Sequence, residues 1–179
     1  SLRRPSDLGF DDSRFILPAL TENEIVANET SPREGMLFTV PAFGLKEERA
    51  ERRHTIQERC DIAAKIALKS DEQSILWCEL NDEGNELEKR IPDAVQVHGS
   101  MGDDEKEEAL IGFAKGQIKR LITKPKIGAW GMNFQSCHNM AFVGLSDSYE
   151  SYYQAVRRCW RFGQKNHVNA HVITSELEG

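Results

Sequence analysis

From residue 74 onward the chain alternates between short apolar runs and amphipathic segments, and this rhythm constrains its fold more than any other feature. Residues 74–80 read as a buried strand, 83–90 as a short helix, 94–98 as a strand and 103–115 as a helix. Residues 118–123 and 140–144 follow as strands, 149–162 as a helix and 168–174 as a last strand. Ser100 and Asp103 mark the start of the 103–115 helix, and Gly116 stands just past its end. Strands that alternate with helices pair in parallel and are covered on both faces. The pattern predicts an α/β fold of three layers, a mostly parallel sheet flanked by helices.

Upstream the signal changes. Residues 46–69 read as a helix, with Ile56, Cys60, Ala63 and Ala67 recurring at spacings of four and three. Residues 1–45 hold four of the six prolines, Pro5, Pro18, Pro32 and Pro41, and only short extended pieces at 14–17, 24–27 and 36–40. The chain thus divides into an irregular or β-containing N-terminal appendage or connector, 1–45, and a core domain, 46–179. At 179 residues and 39% hydrophobic content, one complete core is expected.

No apolar run approaches the ~20 residues of a membrane span, and the basic start Ser1–Pro5 has no apolar stretch behind it, as a secretory signal would. A cytoplasmic, monomeric protein without membrane contact is expected. The chain lacks an initiator Met, so processing or excision from a longer polypeptide is expected. Cys60, Cys78, Cys137 and Cys159 form no close pair, so reduced thiols are expected and neither a zinc clip nor any other metal site.

The net charge of −6 is unevenly spread. Residues 119–171 carry eight Lys and Arg against Asp147 and Glu150, a balance of +6, whereas residues 1–118 carry 15 basic and 25 acidic groups, or −10. An acidic body with a basic C-terminal third can bind a polyanion locally and stay soluble. An exposed basic face with no ligand accounts for the count equally well.

A parallel α/β domain raises the question of nucleotides. Neither G-x-x-x-x-G-K-[ST] nor G-x-G-x-x-G occurs. The Asp71-Glu72-Gln73-Ser74 string precedes a strand, whereas ligands of such sheets bind beyond the carboxyl ends, so it reads as a solvated turn. This chain alone holds no cradle for ATP phosphates.

Two segments carry chemistry. Lys124-Pro125-Lys126-Ile127-Gly128-Ala129-Trp130-Gly131-Met132-Asn133 leaves the carboxyl end of a strand, where small residues let backbone amides approach a ligand. Gln154-Ala155-Val156-Arg157-Arg158-Cys159-Trp160-Arg161-Phe162-Gly163-Gln164, if helical to Phe162, sets Gln154, Arg158 and Arg161 on one stripe, with Val156 and Cys159 free to pack on the sheet. Guanidiniums are planar forks suited to phosphate oxygens and stay charged at any working pH.

In order and separation these segments resemble motifs V and VI of superfamily 2 helicases and translocases, and most nearly those of the Swi/Snf-type branch. Lys126, Gly128, Gly131 and Asn133 match the first motif; Gln154, Ala155, Arg158, Arg161, Gly163 and Gln164 match the second. Residues 74–80 resemble motif IV, and the stretch from Phe142 to Gln164 looks most like helicases of phages and prophages. Pro125, Ala129 and Arg157 depart from the pattern, where Thr, Gly and Gly are usual.

The resemblance implies a C-terminal RecA-like lobe whose ATP and Mg²⁺ are bound only together with an N-terminal lobe of the same polypeptide. In that arrangement Arg161 is the arginine finger, Arg158 a second phosphate contact, and Gln154 orients them. Gly131 and Asn133 line the nucleotide edge. Lys124, Lys126, Gly128, Thr123 and His98 are the candidate contacts to DNA, with RNA open beside it because backbone contacts do not read base identity. A non-catalytic nucleic-acid-binding or partner-docking module of the same fold is the alternative.

Overall fold

A computed structural model of the chain describes residues 16–27, 53, 55–127, 132–145 and 148–175. Six strands form one sheet: β1 (Leu20–Ala27), β2 (Ser74–Trp77), β3 (Ala94–Gln96), β4 (Arg120–Thr123), β5 (Asn139–Phe142) and β6 (Val168–Ser175), in the order β1-β6-β5-β2-β4-β3. Every pairing is parallel. The helices are α1 (Ile56–Leu68), α2 (Asn81–Arg90), α3 (Asp103–Ala114) and α4 (Tyr149–Cys159). None is long and apolar enough to cross a membrane.

The central strands β2 and β4 are buried along their whole length, which is why Ile75-Leu76-Trp77 and Leu121-Ile122 run apolar without alternation. On one face Trp77, Leu121, Met140 and Phe142 meet Phe113 of α3 and Ala155, Val156 and Cys159 of α4. On the other, Leu76, Ile122 and Ala141 meet Cys60, Ala63 and Ala67 of α1 and Leu87 of α2. The α/β, RecA-like expectation holds. All four cysteines are buried free thiols, and burial pushes Cys60 up to about 12.

Three expectations change. First, part of the segment before residue 45 is regular structure in the sheet. Leu20–Ala27 pairs with Val168–Ser175 along its whole length and is the edge strand of the same sheet. Leu20 packs on one core and Ile25 on the other, as alternation requires. The piece expected at 24–27 belongs to this strand; of that expected at 14–17, Ile16 and Leu17 precede the strand without joining it, and residues 14–15 and the piece at 36–40 lie outside the described residues.

Second, α3 begins at Asp103, as read from the sequence, but its N-cap residue is Gly102 and no side chain, Ser100 included, caps it. Asp103, Asp104 and Glu105 in its first turn complement the helix dipole, and Gly116, at φ +76°, ends it in the left-handed region.

Third, α4 stops at Cys159, three residues short of expectation. Ser148 caps its start through the Ser151 N–H at 3.2 Å. At its end, long-range bonds stop the helix. The Trp160 indole N–H donates to Pro18 O at 2.8 Å, and the buried Gln164 amide donates to Cys159 O at 3.3 Å and Cys137 O at 2.9 Å. The Cys159 carbonyl is thereby satisfied from outside the helix, as a helix end requires.

Candidate functional site

Two groups of candidate residues lie apart in the structure. The first surrounds the end of α4. Phe134 N–H donates to Arg158 O at 2.8 Å, tying the segment after the Gly-rich loop to the helix. Arg158 Nη1 donates to Met132 O at 3.3 Å, and Arg161 Nη1 donates to Asn133 Oδ1. Arg161 follows the helix, so it reaches Asn133 from a turn and not from a helical stripe.

The electrostatics of this cluster are unusual. Among the described residues neither arginine has a carboxylate partner. Burial, and next the charge of Arg161, push Arg158 below the ordinary guanidinium value. Arg161 Nε is buried without a hydrogen-bond partner. Two cations held together with spare donors form a site that an anion would stabilise.

Other residues of the motif have different duties. Gln154 is exposed, and no described bond joins it to Arg158 or Arg161. Gln164 is 5% exposed and clamps loops. Gly163, at φ +92°, lies where a Cβ would crowd the Gln135 amide at 3.0 Å. Arg157, the departure from the family pattern, lies over the rings of Tyr153 and Trp160 at 6.0 and 5.6 Å. Gly128 and Gly131 fall outside the described residues.

The second group lies at the carboxyl ends of β3 and β4, the position where ligands meet sheets of this type. His98 and Lys124 share a cavity of about 400 Å³ with Asn81, Asn85, Gln96 and Ser100. The Ser100 hydroxyl and His98 Nδ1 are 2.9 Å apart. Lys126 is exposed nearby in sequence but does not line this cavity. Thr123 is 2% exposed and donates its hydroxyl to Val97 O at 3.1 Å. That hydroxyl is committed to the sheet, so a ligand contact through it, as expected from sequence, does not fit this geometry.

The basic charge count also shrinks. Arg120 is 4% exposed, bonded to Ala67 O, Ser70 O and Asp93, and Lys119 pairs with Asp71 at 2.9 Å. Both lie at the opposite end of β4 from Lys124, so the +6 of residues 119–171 overstates the charge near the cavity. Asp71 is exposed, as a solvated turn requires. Among the described residues no group of three His, Cys, Asp or Glu could hold a metal ion.

Sequence reasoning missed the amide residues of the cavity, which carry no motif, and also a buried ion pair. Arg59 of α1 and Glu83 of α2, 1% and 0% exposed, meet at 2.9 Å. Arg59 also donates to Thr55 Oγ1 at 3.0 Å and to Val143 O, while Glu83 Oε2 accepts from the N–H groups of Glu79 and Leu80 at 2.8 and 2.9 Å. The pair ties the chain leaving β2 to the chain leaving β5. Gly144 belongs to it, because a Cβ there would overlap the Glu83 carboxylate. An Arg and a Glu 24 residues apart leave no local signal.

The chain is 28% identical over 122 residues to Eukaryotic initiation factor 4A of Dictyostelium discoideum, covering 66% of this chain and 29% of that one. It is 28% identical over 108 residues to the RNA polymerase-associated protein RapA of Actinobacillus pleuropneumoniae serotype 5b (strain L20), covering 57% of this chain and 11% of that one. It thus spans less than a third of these relatives. Among solved structures, the C-terminal part of the Fun30 ATPase domain superposes with a TM-score of 0.57 at 19% identity, over 65% of this chain and 39% of that one. The C-terminal domain of the DEAD-box protein Dbp5 does so with 0.55 at 18%, over 66% and 70%. These two likenesses agree with the fold described above. Residues 56–163 match the helicase conserved C-terminal domain, and the chain belongs to that family.

Proposed function

We propose that this chain is the C-terminal motor lobe of an ATP-dependent DNA helicase or translocase. It would supply Arg161 and Arg158 to an ATP site completed by an N-terminal lobe of the same polypeptide. The observation that carries the reading is the arginine pair beside Asn133: two guanidiniums without a described carboxylate, one carrying a buried, unpartnered Nε. That donor set fits a phosphate chain. DNA as the track, and an origin in a phage or prophage, rest on the Swi/Snf-type and phage-like motif strings.

When bound, ATP with Mg²⁺ supplies the phosphoryl group whose transfer to water drives the motor. Arg161 stabilises negative charge that develops as that transfer proceeds, and Arg158 holds a phosphate oxygen in the ground state. Asn133 positions Arg161 by accepting one of its N–H bonds, which leaves the other donors for the ligand. Gln154, exposed on α4, would be open to a second lobe, and Gly131 would let backbone approach the nucleotide. On the nucleic-acid side, Lys124, with Lys126, His98 and the Gly128 backbone, contacts phosphates.

The test is steady-state phosphate release from ATP. The isolated chain, with no phosphate loop, should show none with or without DNA. Turnover that tracks the protein through repurification would overturn the half-site reading.

A further inference from the structure

We propose that the cavity between α2 and the β3–α3 turn takes one unstacked nucleobase of a bound single strand, its edge held by the amides of Asn81, Asn85 and Gln96 with Lys124 on an adjoining phosphate. This rests on the nucleic-acid reading of that face and adds what the face recognises. A phosphate offers only acceptors, and a site built for it alone needs cations and N–H donors. Besides Lys124, His98 and Ser100, this cavity has three carboxamides, and half of each carboxamide is an acceptor. Base edges display donors and acceptors side by side, and an amide fork matches them. At about 400 Å³ the space far exceeds one phosphate and admits a planar ring, with Ile127 as an apolar wall.

The placement of Gln96 in this cavity uses a glycine. Gly84 lies inside α2, where glycine costs about 1 kcal/mol relative to alanine. A Cβ at that position would overlap the Gln96 amide. The glycine therefore lets Gln96 lie across the helix, with its Nε2 3.5 Å from Asn85 Oδ1. At Gly99, on the cavity wall, a Cβ would meet nothing within 4 Å, and its φ is not in the left-handed region. Gly99 is thus a place to fill the cavity without disturbing the fold.

The experiment is fluorescence anisotropy at low salt with a labelled single strand and a strand of the same length made of abasic sites. The wild-type chain should bind the base-bearing strand about tenfold more tightly, within the range of one bidentate amide–base pair. Gly99→Leu should erase that preference and leave abasic binding within about twofold, and Asn81→Ala with Asn85→Ala should do the same. Lys124→Ala should weaken both strands alike. Equal wild-type affinity for the two strands, with the lysine effect retained, overturns the base pocket and keeps the phosphate track. A preference that survives Gly99→Leu in a protein of wild-type circular dichroism also overturns the pocket. Binding to neither strand overturns both readings.

Discussion

Arg59 and the Arg158–Arg161 pair lie on opposite faces of one sheet and use the same functional group to opposite ends. Arg59 is wholly enclosed, its donors taken by Glu83, Thr55 and Val143. Arg158 and Arg161 are brought together although their charges repel, and part of their donor capacity is unspent. The first arrangement closes a structure. The second, on the function proposed above, awaits a ligand that arrives with negative charge. What separates the two arrangements is whether the arginine donors have partners.

The largest test of this contrast is Arg161→Ala in the full-length protein. Hydrolysis should fall by about 10³- to 10⁵-fold while ATP binding and thermal stability hold, because a finger acts on transition-state charge. Single-turnover kinetics beside equilibrium nucleotide binding read this directly. Retained turnover, or a loss explained wholly by weaker binding, would reassign the residue.

Next comes Glu83→Ala, which should leave nucleotide chemistry indirectly affected but the fold strongly so. Removing one partner of a buried ion pair costs about 3–5 kcal/mol, since the other charge remains without its counterion. Urea unfolding of the isolated chain measures it. A loss below about 1 kcal/mol would mean that the pair contributes little and that the contrast with Arg161 is one of position only.

Surface charges offer a milder version of the comparison. Among the described residues Lys124 and Lys126 have no acidic partner, and replacing both by Ala should weaken DNA binding similarly across unrelated sequences. Each lost phosphate contact should flatten the log–log salt dependence by about 0.9 on duplex or 0.7 on a single strand. An unchanged slope would move the track elsewhere on the lobe.

The smallest effect belongs to Glu86, whose hydrogen bonds to Lys89 and then Arg90 hold its carboxyl at about 2, below its ordinary 4.5. A depressed carboxyl stabilises the fold fully above the ordinary value, and that contribution disappears as pH falls toward 2. Wild type should therefore show a slight, salt-sensitive fall in Tm over that window that Glu86→Gln lacks. Identical pH profiles would show that the surface pair adds nothing.

The sequence by itself determined the layers of the domain and the order of its motifs. Consecutive apolar residues such as Ile75-Leu76-Trp77 and Leu121-Ile122, without alternation and between helical segments, fit strands covered on both faces, and a buried side such as Cys60, Ala63 and Ala67 repeats with the helical period. These are local periodicities, fixed by backbone geometry within a few residues. Arg158, Arg161 and Asn133 were also legible, as a motif, but their arrangement was not. Only the tertiary structure decided that α4 ends at Cys159, that Arg161 turns to Asn133, that Gln164 is a buried clamp and Thr123 a buried tie, and that Leu20–Ala27 completes the sheet. Each of those outcomes depends on a hydrogen bond between residues 26 or more positions apart, such as Trp160 with Pro18, and no periodicity along the chain encodes which distant carbonyl a donor will meet.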